Sequence, residues 1–461
     1  MLPLTSLARP TDSINTGVAM PTSIFDVFFA PAGYTETLSY ITSEGWNAYE
    51  QQQFNSVFRS IEDVANVRFF TTNTAAQAEY VVVLDTNEAA AYGDVLGYFY
   101  LPNGVSTPLS GVFNGGAWDR SAGGMLEQGG DGYQTILHEL LHGLGLGHPH
   151  DTDGGTRIMN GVSSNFGDYG DYDLNQGVYT AMTYNTGHET GDSGDWNLNW
   201  GYEATPMALD IAVLQDLYGA NTTHAGGNDT YTLPGSNVSG THWESIWDTG
   251  GTDLIRFTGA GDATVDLRDA TLEYEIGGGG YISSVEGVAG GFTIANGVVI
   301  ENVQTGRGDD NIMGNDARNI IKTGAGDDIV YGGAGRDKIK GNGGRDELWG
   351  EEGRDKLVGG GGVDYLLGGA GNDVLKGGRG GDTFFFDSAG GNDKIKDFGR
   401  GNDTLMIDLA FWGSATSAQQ LINLYADDSG ADVIFDFGGG NTLTFEDVAD
   451  AQSLVNDIFS Y

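Results

Sequence analysis

The fold class predicted is an α+β N-terminal domain followed by an all-β C-terminal domain, a parallel β-roll with sandwich-like packing. Three observations carry this. Helix-type and strand-type apolar patterns alternate through roughly the first 220 residues. Beyond about residue 221 the pattern changes to short alternating strands with Gly-Gly and Asp-Gly-type turns. From 305 to 385 a nine-residue period repeats nine times.

A chain of 461 residues exceeds one typical hydrophobic core, so two domains are expected. The 77 glycines are more than twice the usual share of about 7% and call for a local explanation. A formal charge of −43, from 64 Asp and Glu against 21 Lys and Arg, argues against nucleic acid or an anionic membrane as partner and makes cations the natural counterpart. A salt-rich habitat also accounts for such acidity, and no lysine precedes Lys322. With no cysteine, neither disulfides nor thiolate metal sites are available. There is no apolar run of transmembrane length and no basic-then-apolar N-terminal signal, so export is expected by another route.

Residues 1–25, punctuated by Pro3, Pro10 and Pro21, are expected to be a short propeptide or a disordered tail. In 47–65 the residues Tyr49, Phe54, Val57, Phe58, Ile61 and Val64 recur at helical spacing. Runs at 80–84 and 96–101 read as buried strands. A second helix is expected over 133–143, and a third, marked by Met207, Ile211, Leu214 and Tyr218, ends at Gly219. The first domain is thus placed at 26–221 and the second at 222–461, comprising the repeats of 305–385 and a mixed region over 386–461.

The run HELLHGLGLGH at 138–148 carries the chemistry. His138 and His142, four apart on a helix, project from one face toward a single ion. Gly145 permits the positive φ that ends the helix and returns His148 as a third nitrogen. Three neutral imidazoles suit Zn²⁺, leave a position for water, and make Glu139 the candidate general base. A bare HExxH arises by chance in long chains, but the added Gly145 and His148, in a chain with seven histidines, make coincidence a poor account. His150, His188, His224 and His242 are read as ordinary surface or core residues.

The nonads follow G-G-x-G-x-D-x-U-x. The sixth position is Asp310, Asp328, Asp337, Asp346, Asp355, Asp364, Asp373 and Asp382, broken only by Asn319. The apolar position is Ile312, Ile321, Val330, Ile339, Leu348, Leu357, Leu366, Leu375 and Phe384. Two nonads per coil give a roll with apolar residues stacked inward, and turn carbonyls with aspartates form the oxygen-only cage that several Ca²⁺ ions prefer. Without the ion, aligned carboxylates repel and the glycine-rich chain is costly to order, so folding is expected to need calcium. A flexible Gly/Asp linker, the bland alternative, has no reason to phase its apolar residues.

The zinc run with its third histidine and a later methionine resembles the metzincin superfamily. Pro149 and the segment Thr180, Ala181, Met182, Thr183, Tyr184 make it similar to the serralysin branch, as does the helix at 206–221. The likeness covers most of residues 45–461. It implies that Met182 forms an apolar floor beneath the histidines. It also implies that Tyr184 is a further, switchable zinc ligand that can donate to the oxyanion of a tetrahedral intermediate. The acidic, aromatic loop at 165–177 departs from the family pattern, which leaves substrate preference open because that loop is expected to shape the cleft.

The same likeness implies a calcium loop before the roll, with Asp248, Gly250, Asp253 and Glu301 as ligands. The alternative there is an ordinary hairpin turn with Glu301 on a solvated face. The nonads resemble RTX repeats, and Asp457, Ile458 and Phe459 resemble a type I secretion signal, or else a terminal strand. The expected protein is therefore a secreted, extracellular zinc metalloendopeptidase with one catalytic Zn²⁺ and structural Ca²⁺. Its expected partners are protein or peptide substrates, an ABC-type exporter and a proteinaceous inhibitor. Neither nucleic-acid binding nor stable membrane insertion is expected, and the chain is expected to be a monomer. Substrate is expected to pair with an edge strand at 111–114. A non-catalytic RTX adhesin that retains the zinc fold is the rival, and it predicts a decayed site. An RTX lipase would need a G-x-S-x-G elbow, which is absent.

Overall fold

The computed structural model describes residues 8–36, 41–86, 96–102, 108–116, 118–188 and 199–461. The chain divides into two units. One takes Met1–Gly226, Ser236–Gly250 and Asp269–Val298, and the other takes Gly227–Gly235, Gly251–Arg268 and Val299–Tyr461. No helix among the described residues is long and apolar enough to cross a membrane.

The first unit is built on strands β1 (Ile24–Phe29), β2 (Arg68–Thr71), β3 (Tyr80–Asp85), β4 (Gly97–Phe99) and β5 (Leu109–Asn114), in the order β2-β1-β3-β5-β4. All pairings are parallel except β4 on β5. Helix α1 (Ala48–Val64) begins with a reciprocal cap: Asn47 accepts from Glu50 N–H at 2.9 Å and Glu50 accepts from Asn47 N–H at 2.8 Å. It buries the predicted stripe Phe54, Val57, Phe58, Ile61 and Val64. Glu50 is itself fully buried and is neutralised by Arg120, with contacts of 2.6 and 2.8 Å.

Strand β3 is buried along its whole length, as a central parallel strand must be. Two strand expectations need correction. The run at 96–101 is not a buried strand: only β4 forms within it, Gly97 and Tyr98 are part-exposed, and Tyr100 is 41% exposed, because β4 lies at the sheet edge. Residues 111–114 are not an edge either. They belong to β5, which pairs with β3 on one side and β4 on the other, so neither ladder is open to a peptide.

Helix α2 (Asp131–Gly143) has almost every residue buried. It stops where Gly145 takes φ +104°, and a Cβ there would also lie 2.5 Å from Val18 O. Leu146 N–H then donates to Leu141 O, and Gly147 N–H to Ile14 O, turning the chain back over the helix end. Helix α3 (Ala208–Tyr218) ends at Gly219 with φ +83°.

In the second unit the nonads form short parallel strands that alternate between two sheets. In one sheet Ile312, Val330, Leu348, Leu366 and Phe384 pair in succession; in the other Ile321, Ile339, Leu357 and Leu375 do. Each step is eighteen residues, so one coil is two nonads, and every one of these side chains is at most 1% exposed. The stack continues past the nonads through Asn392–Ile395, Thr404–Ile407 and Asn441–Phe445. It ends on Ile458–Ser460, which pairs with Thr404–Ile407.

Candidate metal centres

Helix α2 and the turn after it bring together the three histidines of the predicted set. His138 Nε2 and His142 Nε2 lie 3.1 and 3.0 Å from His148 Nε2. On the far side of each ring, Nδ1 donates to an atom that can only accept. His138 reaches Ala181 O at 2.7 Å, His142 reaches Leu146 O at 2.8 Å, and His148 reaches an Asp151 carboxylate oxygen at 2.9 Å. Those bonds place the proton on Nδ1 and leave three Nε2 lone pairs facing one another with no hydrogen between them. Such an arrangement is repulsive unless a cation stands at the focus. Nitrogens about 2.0–2.1 Å from one tetrahedral ion lie roughly 3.3 Å apart, close to the spacing found. Burial first, and then the neighbouring imidazoles, push all three rings well down, His138 and His142 to about 3, which keeps the lone pairs free at neutral pH.

The supports of these ligands come from elsewhere in the sequence. Ala181, which orients His138, belongs to a turn fixed by the buried Asp210 of α3. The Asp210 carboxylate accepts from Thr180 Oγ1 at 2.6 Å, Ala181 N–H at 2.7 Å and Met207 N–H at 2.9 Å. Met182 follows in that turn and is fully buried. Asp151, Asp210 and Thr180 were not predicted for these roles. A carboxylate three residues after a candidate metal-binding histidine was the one available signal.

Glu139 is buried beside the cluster, and its Oε2 has no hydrogen-bond partner among the described residues. Burial raises its carboxyl to about 8, opposed by a hydrogen bond from Phe99 N–H. It lines a cleft of about 390 Å³ with Gly97, His138, Phe166 and Tyr184. Tyr184 lies with its ring centre 4.9 Å from that of His148, and burial with the nearby Glu139 raises its hydroxyl to about 12, so it stays a donor.

The departing loop does shape the cleft. Asn185 ties it down through Gly167 N–H and Asp168 O, and Phe166 sits 5.3 Å from Tyr184. His150 is not an ordinary surface residue, because it stacks on His148 at 4.7 Å and abuts Tyr184 at 4.4 Å. His224 faces Asp63 and His242 faces Glu244, away from the cluster. His188 is half-buried with its ring 5.9 Å from that of Trp243.

In the second unit the predicted aspartates form two ladders. Asp310 N–H donates to Asp328 Oδ1, and the series continues through Asp346, Asp364 and Asp382 at 2.9–3.2 Å. On the other edge Asn319 N–H donates to Asp337, followed by Asp355 and Asp373. The Oδ2 atoms of Asp310, Asp328, Asp337, Asp346, Asp355, Asp364 and Asp373 are buried without a hydrogen-bond partner among the described residues. Burial, the leading cause, raises Asp328, Asp355 and Asp364 to about 6 and Asp337, Asp346 and Asp373 to about 7.

Rows of unsatisfied carboxylate oxygens amid turn carbonyls fit a hard divalent cation. The first-position glycines keep that space open: a Cβ on Gly341 would lie 2.0 Å from Asp346 Oδ2. Asn319 instead satisfies itself through Asn315 and Glu301 O. Sequence reading missed the continuation of the ladders through Asp393 and Asp403, which sit 20 and 21 residues on and so fall outside the nine-residue phase.

Of the loop before the roll, Asp253 N–H donates to Glu301 at 2.8 Å, and Asp253 accepts from Asp229 N–H, a residue not predicted. Asp248 accepts from Gly250 N–H at 2.8 Å.

The model of the RTX calcium-binding nonapeptide repeat matches residues 304–339, 331–366 and 358–395. Among curated proteins, the chain is 30% identical over 298 residues to a serralysin of Proteus mirabilis, covering 59% of this chain and 55% of that protein. It is 32% identical over 290 residues to a serralysin of Photorhabdus luminescens, covering 59% and 54%. It is 29% identical over 292 residues to the metallopeptidase AprA of Pseudomonas marginalis, covering 60% and 56%. The chain spans about half the length of the curated relatives it matches.

Proposed function

We propose that this chain is a secreted zinc-dependent endopeptidase of the serralysin kind whose second unit is folded by calcium. The observation that carries the reading is the convergence of three proton-free Nε2 atoms beside Glu139, which lines the cleft with His138 and has an oxygen without a partner among the described residues.

His138, His142 and His148 would hold the zinc, which when bound supplies a Lewis acid that acidifies water and polarises a carbonyl. Glu139 takes the proton from the attacking water and returns it to the leaving amine, its carboxyl brought into the ionised form by the adjacent cation. Tyr184, held protonated, donates to the developing oxyanion and is the fourth side chain available to the ion. Met182 belongs to the turn whose Ala181 carbonyl fixes His138.

Substrate backbone pairs with β4 rather than with β5. β4 is the edge strand, and Gly97 lies so close to Glu139 that a Cβ there would meet its Cγ at 3.1 Å. The ladder aspartates, with Asp248, Gly250, Asp253 and Glu301 before them, are the calcium ligands. Export by an ABC-type transporter, with calcium-driven folding outside the cell, is supported by the repeat array. The Asp457, Ile458, Phe459 terminus is the segment read as its signal. A proteinaceous inhibitor as partner and a monomeric state complete the reading. The adhesin alternative is not favoured, since the centre carries every ligand and the base.

Casein hydrolysis by the calcium-loaded protein tests this. A zinc chelator should abolish it and added Zn²⁺ should restore it, with calcium held constant. Hydrolysis that survives complete zinc removal overturns the reading.

A further inference from the structure

The cleft does not end at the histidines. It runs along α2 toward the start of that helix, where Asp131 forms part of its lining together with Gln134, Thr135, Thr183 and Thr186. Asp131, Gln134, Thr135 and His138 are spaced i, i+3, i+4, i+7 and therefore share one helix face. At 1.5 Å per residue, Asp131 stands roughly 10 Å along the axis from His138. An extended lysine or arginine side chain next to the scissile bond covers most of that interval.

The intervening groups are neutral and already engaged. Gln134 Nε2 donates to Ala181 O at 3.3 Å, and Thr135 Oγ1 donates to Asp131 O at 3.0 Å. The Asp131 carboxylate makes no hydrogen bond or ion pair among the described residues, and it does not cap its own helix. The charged group whose field it shares is Glu203, another acid, and burial alone raises its carboxyl above the ordinary range. A part-buried anion with no counter-charge carries a desolvation cost that a bound cation relieves. The helix N-terminus favours an acid there on its own account, but that does not explain why the acid lines the cleft.

We propose that Asp131 is the specificity-determining residue of this cleft and selects substrates with a lysine or arginine beside the scissile bond. The proposal rests on the endopeptidase reading. It names the substrate class as cationic polypeptides, which a chain of net charge −43 also attracts at long range.

The test uses full-length protein loaded with zinc and calcium, and two peptides identical except for lysine or leucine at the residue flanking the cleaved bond. The lysine peptide should be favoured in kcat/KM by about tenfold or more, mainly through KM, with the preference shrinking as salt rises. Asp131→Asn should bring the ratio toward one, and Asp131→Lys should turn preference toward a glutamate peptide. Circular dichroism and zinc content verify that each variant is folded. Binding of the same peptides to the non-cleaving Glu139→Gln protein, followed by calorimetry, should give the same ranking. Proteolysis with no lysine or arginine enrichment, or a ratio that Asp131→Asn leaves unchanged, overturns the proposal while sparing the endopeptidase reading. Absence of any zinc-dependent proteolysis removes both.

Discussion

The histidine cluster gathers three neutral nitrogens at a point, whereas the ladders line up aspartates along two edges, seven of them with a buried oxygen that has no partner among the described residues. In the cluster each ring is held from behind by its Nδ1 bond, so the site is preorganised by the fold and the cation adds chemistry. In the ladders the backbone N–H of one aspartate binds the carboxylate of the next coil, so repelling charges form part of the scaffold itself. On the proposed reading, zinc would act and calcium would permit folding.

Withdrawing calcium should have the largest effect, and its pH dependence tests the comparison. Six ladder carboxyls, those of Asp328, Asp337, Asp346, Asp355, Asp364 and Asp373, are raised by burial from 3.8 to about 6 or 7, and Asp393 to about 8. The folded, calcium-free array therefore binds more protons than the unfolded chain between roughly pH 4 and 8, so its stability falls as pH rises through that window. Urea unfolding in a calcium chelator should give a clearly higher midpoint at pH 5 than at pH 8, and calcium should restore stability at pH 8. A calcium-free array equally stable at both pH values would contradict the charge account.

The histidine side is tested next by Asp151→Asn, which keeps a hydrogen-bond acceptor for His148 but removes its charge. Zinc affinity in competition with a chromophoric chelator should fall about 10–100-fold, with calcium affinity unaltered. The smallest effect is expected from Asp355→Asn, which makes one rung resemble Asn319. Calcium uptake should drop while zinc content holds, and the melting temperature should fall by about 2–4 °C. A collapse of the whole array would show that its rungs are not separable.

How much was readable in the sequence follows the same division. The residues of the proposed zinc site lie within eleven positions, with helical periodicity and one glycine at the turn, so the grouping of His138, Glu139, His142 and His148 was legible without a fold. The roll was legible because each nonad repeats its own geometry. What escaped depends on contacts between distant segments. Asp210 touches the turn at 180–181 only after α3 docks, and Asp393 and Asp403 join the ladders only because strands outside the nonad phase continue the coils. The mistaken edge strand has the same origin, since strand order follows from pairing and not from the strand's own residues. His150 escaped because no spacing rule distinguishes a histidine that stacks on a ligand from one in solvent.

The most direct test of the central claim is Glu139→Gln, which preserves shape and all three nitrogens. It should retain one zinc per chain and the calcium-dependent fold, yet lose casein hydrolysis by on the order of 10³-fold or more. A zinc-loaded Glu139→Gln protein that still cleaves casein at a comparable rate would contradict the account.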